Sequence, residues 1–111
     1  RSQTRVQREV AASFRDWGIP TATAITQVRQ AVPDLPVIAS GGLRTGIDVA
    51  KSLALGADVA ALADVLLQAA SVSEQALRDQ LTIIQKQIEI AMFATGANNV
   101  ALLKQIDLIH L

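Results

Sequence analysis

Leu35-Pro36-Val37-Ile38-Ala39-Ser40-Gly41-Gly42-Leu43-Arg44-Thr45-Gly46-Ile47-Asp48 joins a short apolar run to a glycine turn and then to the start of a helix. The run from Leu35 to Ala39, bounded by turn formers, reads as a parallel strand buried on both faces. Thr45-Gly46-Ile47-Asp48 has the spacing of a capping box, with Asp48 in place of the usual Glu or Gln. Val49, Ala50, Leu53 and Ala54 continue as an apolar stripe that ends at Gly56, so the spacing predicts a helix over 46–55. Asp58-Val59-Ala60-Ala61-Leu62-Ala63 is a second buried-strand candidate, and the length between the two suits the right-handed crossover of a βαβ unit.

Upstream, Val6, Val10, Phe14 and Trp17 recur at helical spacing until Gly18-Ile19-Pro20, which predicts a helix over 5–16 with Trp17 packed as core. A second helix is expected over 21–32. Ile25, Val28 and Val32 share its face, Thr21 is placed to cap it, and Pro33 closes it. Downstream, a short helix from after Val65 to about Ala70 precedes a long one capped by Ser73, whose face is Leu77, Leu81, Ile84, Ile88 and Met92. Thr95-Gly96-Ala97-Asn98-Asn99 breaks it before a last short helix through Leu103. Two parallel strands do not make a stable sheet, and a complete eight-stranded β/α barrel takes about 250 residues. The expectation is therefore an α/β fragment that depends on partners outside it.

Half of the 111 residues are apolar, which favours a packed chain over disorder. Ten basic residues balance ten acidic ones, so neither nucleic acid nor an anionic membrane is the expected main partner. The absence of cysteine excludes disulfides and thiolate chemistry, and a single histidine, His110, excludes a site built on several imidazoles. Polar Arg1-Ser2-Gln3-Thr4 does not resemble a leader, and no apolar run approaches the about 20 residues of a membrane span. A cytoplasmic location is expected. Lys51 and Lys104 read as solvated charges.

Chemistry concentrates in the loop from Ser40 to Gly46. It lies between a strand and a helix N-terminus, where free amides and the helix dipole favour an anion and glycines permit close approach. Glycines at 41, 42 and 46 do not make the dinucleotide pattern, and no Lys-Ser or Lys-Thr pair makes a Walker loop. A Gly-Gly turn also serves chain reversal alone, and Arg44 also suits an ordinary surface position, so spacing leaves both readings open.

The block from Pro36 to Lys51, followed by Ala54-Leu55-Gly56-Ala57-Asp58, resembles the C-terminal signature of FMN-dependent barrels, including the α-hydroxy-acid oxidases. The flanks Phe14-Arg15-Asp16-Trp17-Gly18-Ile19-Pro20-Thr21-Ala22 and Ala91-Met92-Phe93-Ala94-Thr95-Gly96-Ala97 are similar to type 2 isopentenyl diphosphate isomerases. That resemblance implies the C-terminal part of a TIM (β/α)8 barrel, about strands seven and eight, in one domain spanning 1–111. It implies interconversion of isopentenyl and dimethylallyl diphosphates with reduced FMN, NADPH as reductant, Mg²⁺ held by ligands outside this chain, and a homo-oligomer, an octamer in the family. Carried over by position, Gly42, Leu43, Arg44 and Thr45 would contact the FMN phosphate, with Ala63 and Asp64 offering backbone amides beside it, while Ser40 and Gly41 shape the turn. Asp64 departs from the family, which has a basic, apolar or glycine residue there. No catalytic residue is assigned to this chain, which is expected to be inactive alone. The alternatives are a fragment of an FMN-dependent 2-hydroxy-acid oxidase, and a non-catalytic half-barrel that self-associates.

Overall fold

A computed structural model describes residues 4–109; Arg1-Ser2-Gln3 and His110-Leu111 lie outside them. The elements in chain order are α1 (Arg5–Ser13), α2 (Thr21–Ala31), β1 (Ile38–Ala39), α3 (Gly46–Leu55), β2 (Val59–Ala60), α4 (Asp64–Val72), α5 (Glu74–Thr95) and α6 (Val100–Leu103). β1 and β2 pair in parallel, Ile38 opposite Val59 and Ala39 opposite Ala60, with α3 as the crossover. The ladder is shorter than the predicted strands. Its hydrogen bonds nevertheless continue beyond it, from Asp58 N to Val37 O at 2.9 Å and from Ala61 N to Ala39 O at 2.8 Å.

Two apolar clusters hold the helices in place. Val49, Ala50 and Leu53 of α3 pack with Ala97 and Leu103, against Ile88, Ala91 and Met92. Ile25 of α2 packs with Val37, Ala39 and Ala57, against Leu43 and Leu55. Helix α3 is thus central, and fully burying a side chain such as Leu53 contributes about 2 kcal/mol. Of the stripe predicted on α5, Ile84 is buried while Leu81 is exposed.

Strands buried on both faces were expected, and the structure corrects this. Ala39 is 2% exposed, whereas Ile38 is 68% and its register partner Val59 55% exposed. Side chains alternate across a strand, and helices cover one face of the ladder only. Trp17 is likewise not core: it is 80% exposed and meets Phe14 edge-on at 5.5 Å, and α1 stops at Ser13, short of the predicted 16. Nor is Lys104 a solvated charge. Its ammonium lies 2.5 Å from Asp58 Oδ1, while Asp58 Oδ2 accepts from Arg29 at 2.7 Å and from Val37 N at 2.9 Å. Arg29 also donates to the carbonyls of Pro33, Leu35 and Gly56, each at 2.8 Å. This cluster ties α2 and the segment after α6 to the entry of β2. It holds the Asp58 carboxyl well below the usual carboxylate range, the Lys104 ammonium first and the Val37 amide next.

Candidate anion-binding site

At the opposite end of the ladder, where the chain leaves both strands, is a pocket of about 240 Å³. Its walls are Ser40, Gly41, Gly42, Leu43 and Arg44 from the loop after β1, and Ala61, Ala63 and Asp64 from the segment after β2. Five of the six residues singled out in the sequence therefore meet on one concavity: Gly42, Leu43, Arg44, Ala63 and Asp64. Thr45 is not on its wall.

The loop takes its shape from Gly41 at φ 101° and Gly42 at φ 77°, a left-handed region that side chains disfavour. A Cβ built on Gly42 would meet nothing within 4 Å, so the glycine serves the backbone conformation and leaves open space before it. The Leu43 side chain turns inward onto the cluster of Ile25, Val37 and Ala39 and anchors the loop. Arg44 is exposed, and no carboxylate pairs with it among the described residues.

Two helices begin beside this pocket and end their chains of amides differently. The predicted capping box of α3 forms: Thr45 Oγ1 accepts from Asp48 N at 3.1 Å. In return Asp48 Oδ2 accepts from Thr45 N at 3.2 Å and from Arg44 N at 2.9 Å. These bonds, that from the Arg44 amide foremost, lower the Asp48 pKa from its ordinary value of 3.8, with burial opposing them. Gly46 N donates to Gln87 Oε1 of α5 at 2.7 Å. The start of α3 is thus answered from within except at the Ile47 amide, which has no acceptor among the described residues, and of Thr45 only the hydroxyl hydrogen is left to donate outward.

Helix α4 starts at Asp64, earlier than predicted, with Ala63 at its N-cap and no side-chain cap. The Asp64 carboxylate accepts from Gln68 at 3.3 Å, one turn further into the helix, and does not fold back over the first amides. The first-turn amides of Asp64, Val65 and Leu66 have no acceptor among the described residues, and the same holds for Gly42 and Leu43. Of these, Gly42, Leu43 and Asp64 line the pocket together with Arg44, beside the uncapped start of α4, an arrangement suited to a small oxyanion.

Sequence reading missed Gln87 and misassigned Thr21. Thr21 does not cap α2, whose N-cap is Pro20; its hydroxyl donates to Gly41 O at 2.8 Å. The available signal for Gln87 was its place three residues after Ile84, a polar group beside the apolar stripe of α5.

Residues 15–110 match the family of FMN-dependent dehydrogenases. The chain belongs to that family. Within this FMN-dependent dehydrogenase family it is similar to proteins called isopentenyl-diphosphate delta-isomerase. That of Nostoc sp. (strain PCC 7120) is 50% identical over 104 residues, 94% of this chain and 30% of the relative. The Xanthobacter autotrophicus protein is 48% identical over 101 residues, 91% of this chain and 29% of the relative. The Pseudescherichia vulneris protein is 44% identical over 108 residues, 97% and 31% respectively. The chain thus spans about 30% of the length of the curated relatives it matches. Among the described residues no helix is long and apolar enough to cross a membrane.

Proposed function

We propose that this chain supplies the phosphate end of the FMN site in a type 2 isopentenyl-diphosphate delta-isomerase, as the part of its β/α barrel that carries strands seven and eight. The observation that supports it is the pocket lined by Gly42, Leu43, Arg44, Ala63 and Asp64, where the amides of Gly42, Leu43 and Asp64 have no acceptor among the described residues and the uncapped start of α4 stands beside Arg44. A phosphate dianion fits that donor set. The one adverse group is Asp64, whose repulsion of a phosphate dianion at about 4 Å amounts to roughly 2 kcal/mol in water; its bond to Gln68 directs the carboxylate along the helix.

When bound, reduced FMN supplies the acid and base for moving a proton at carbon between isopentenyl and dimethylallyl diphosphate. This chain's part is to fix the cofactor by its phosphate, Gly42, Leu43 and the first turn of α4 by backbone amides and Arg44 by charge. Thr45 would add its hydroxyl hydrogen. In this reading NADPH is the reductant, the Mg²⁺ ligands and the substrate-binding groups come from residues beyond these 111, the apolar face of Ile38 and Val59 packs against the rest of the barrel, and the complete protein is a cytoplasmic homo-oligomer.

The family description, FMN-dependent dehydrogenase, favours as second reading an oxidase of 2-hydroxy acids. Assay of the complete protein with FMN and NADPH separates them: isopentenyl diphosphate is converted to dimethylallyl diphosphate on the first, and a 2-hydroxy acid is oxidised on the second. The site itself is tested by titrating the protein with FMN and with riboflavin under the same conditions. FMN is expected to bind at least about tenfold more tightly, the value of one charge-assisted contact. Equal affinities would count against a phosphate site.

A further inference from the structure

We infer that Thr21 and Gln87, neither of them on the pocket wall, are positioning residues that set the aim of the anion loop from outside it; the inference rests on the phosphate reading above. The loop is held at both ends by side chains from other helices. At its start the Thr21 hydroxyl of α2 donates to Gly41 O at 2.8 Å. At its end Gln87 Oε1 of α5 accepts from Gly46 N at 2.7 Å.

The first bond has a directional consequence. In a planar trans peptide the carbonyl and the following N–H point to opposite sides. Holding Gly41 O toward α2 therefore turns Gly42 N–H away from α2. Two successive glycines, at φ 101° and 77°, leave this peptide plane freer to rotate than any other in the loop, so its orientation needs an external restraint.

The second bond fixes where the helix begins. Gly46 is buried against α5, so closely that a Cβ there would lie 2.6 Å from Gln87 Cβ and 2.9 Å from Ile88 N. Gln87 thus joins the start of α3 to a long helix that packs on both α3 and α4, the two helices that flank the pocket. Thr21 and Gln87 sit 20 and 41 residues from the loop atoms they hold, which is why a local motif does not include them.

The test compares Thr21→Val and Gln87→Met, which keep approximate shape and remove the hydrogen-bonding group, with Thr21→Ser, which keeps the hydroxyl. Each variant is titrated with FMN and with riboflavin, and backbone amide order parameters are measured at Gly42 and Leu43. Thr21→Val and Gln87→Met are expected to cut the preference for FMN over riboflavin by about tenfold, one hydrogen bond's worth. Their order parameters should fall from about 0.85 toward 0.6 or below, while Thr21→Ser stays near the parent in both readouts. A general loss of fold would weaken riboflavin as much as FMN. Unchanged order parameters and an unchanged preference in Thr21→Val and Gln87→Met would overturn the inference. If the parent protein itself shows no preference for FMN, the phosphate reading fails, and the order parameters still decide whether the two residues aim the loop.

Discussion

Helices α3 and α4 start at the same pocket, yet one is closed and the other open. At the start of α3, Gln87 takes the Gly46 amide, Thr45 takes that of Asp48, and Asp48 in return takes those of Arg44 and Thr45, leaving only the Ile47 amide without an acceptor among the described residues. Those of α4 meet no side-chain cap, because Ala63 carries no acceptor and Asp64 turns to Gln68. The difference assigns them separate tasks. Helix α3 is a rigid support that holds the loop in shape, and α4 is the end whose unmet donors are left for a ligand. An uncapped helix start costs about 1 kcal/mol relative to a capped one, and a bound anion would offset that cost.

The comparison is broken most severely at Gly46. A Cβ placed there would lie 2.2 Å from Ile84 O on the α5 backbone, which flexible side-chain motion cannot relieve. Gly46→Ala is expected to lose about 3 kcal/mol of stability, read from urea unfolding. A loss below about 0.5 kcal/mol would mean that α3 and α5 are not in such close contact.

Next in size is the cap itself. Asp48→Asn removes the charge that accepts from the Arg44 and Thr45 amides and is expected to cost about 1 kcal/mol at neutral pH. The sign with pH follows from the lowered pKa. The folded-state value lies below the unfolded one, so the stabilisation is fully present above about pH 4. It is lost as pH falls through the folded-state value. Between the two values, Asp48→Asn should show a shallower decline in stability than the parent; parallel declines would contradict the role given to Asp48.

What was legible in the sequence follows the same division. The α3 cap is local, residues 45 and 48, and its spacing was sufficient to place both the helix and the box. The glycine loop was legible from its place between a strand and a helix, whereas Ala63 and Asp64 were placed beside it by the family resemblance, and two parallel strands joined by a helix put both strand exits at one end. Less was legible where the answer depends on distant chain. Lys104 finds Asp58 46 residues away, and Trp17 stays exposed because the described residues offer it no core to enter. The strands read as buried on both faces because Ile38 and Val59 are apolar, yet the chain itself covers one face only.

The smallest expected effect sharpens the open side. Asp64→Asn removes the one negative charge on the pocket wall while keeping a polar group of the same size. It is expected to tighten FMN binding several-fold, up to about 2 kcal/mol by Coulomb's law in water, with riboflavin binding unchanged. An equal gain for both ligands would show that Asp64 acts by something other than its charge on the phosphate.

The most direct test of the contrast between the two helix starts is the ¹H–¹⁵N spectrum of the protein titrated with FMN. The amides of Gly42, Leu43, Asp64, Val65 and Leu66 should shift most, since they lack internal acceptors, while those of Thr45, Gly46 and Asp48 should move little. If the largest shifts fall on Thr45, Gly46 and Asp48 and those of the α4 first turn stay in place, the assignment of α3 as support and α4 as ligand end is wrong.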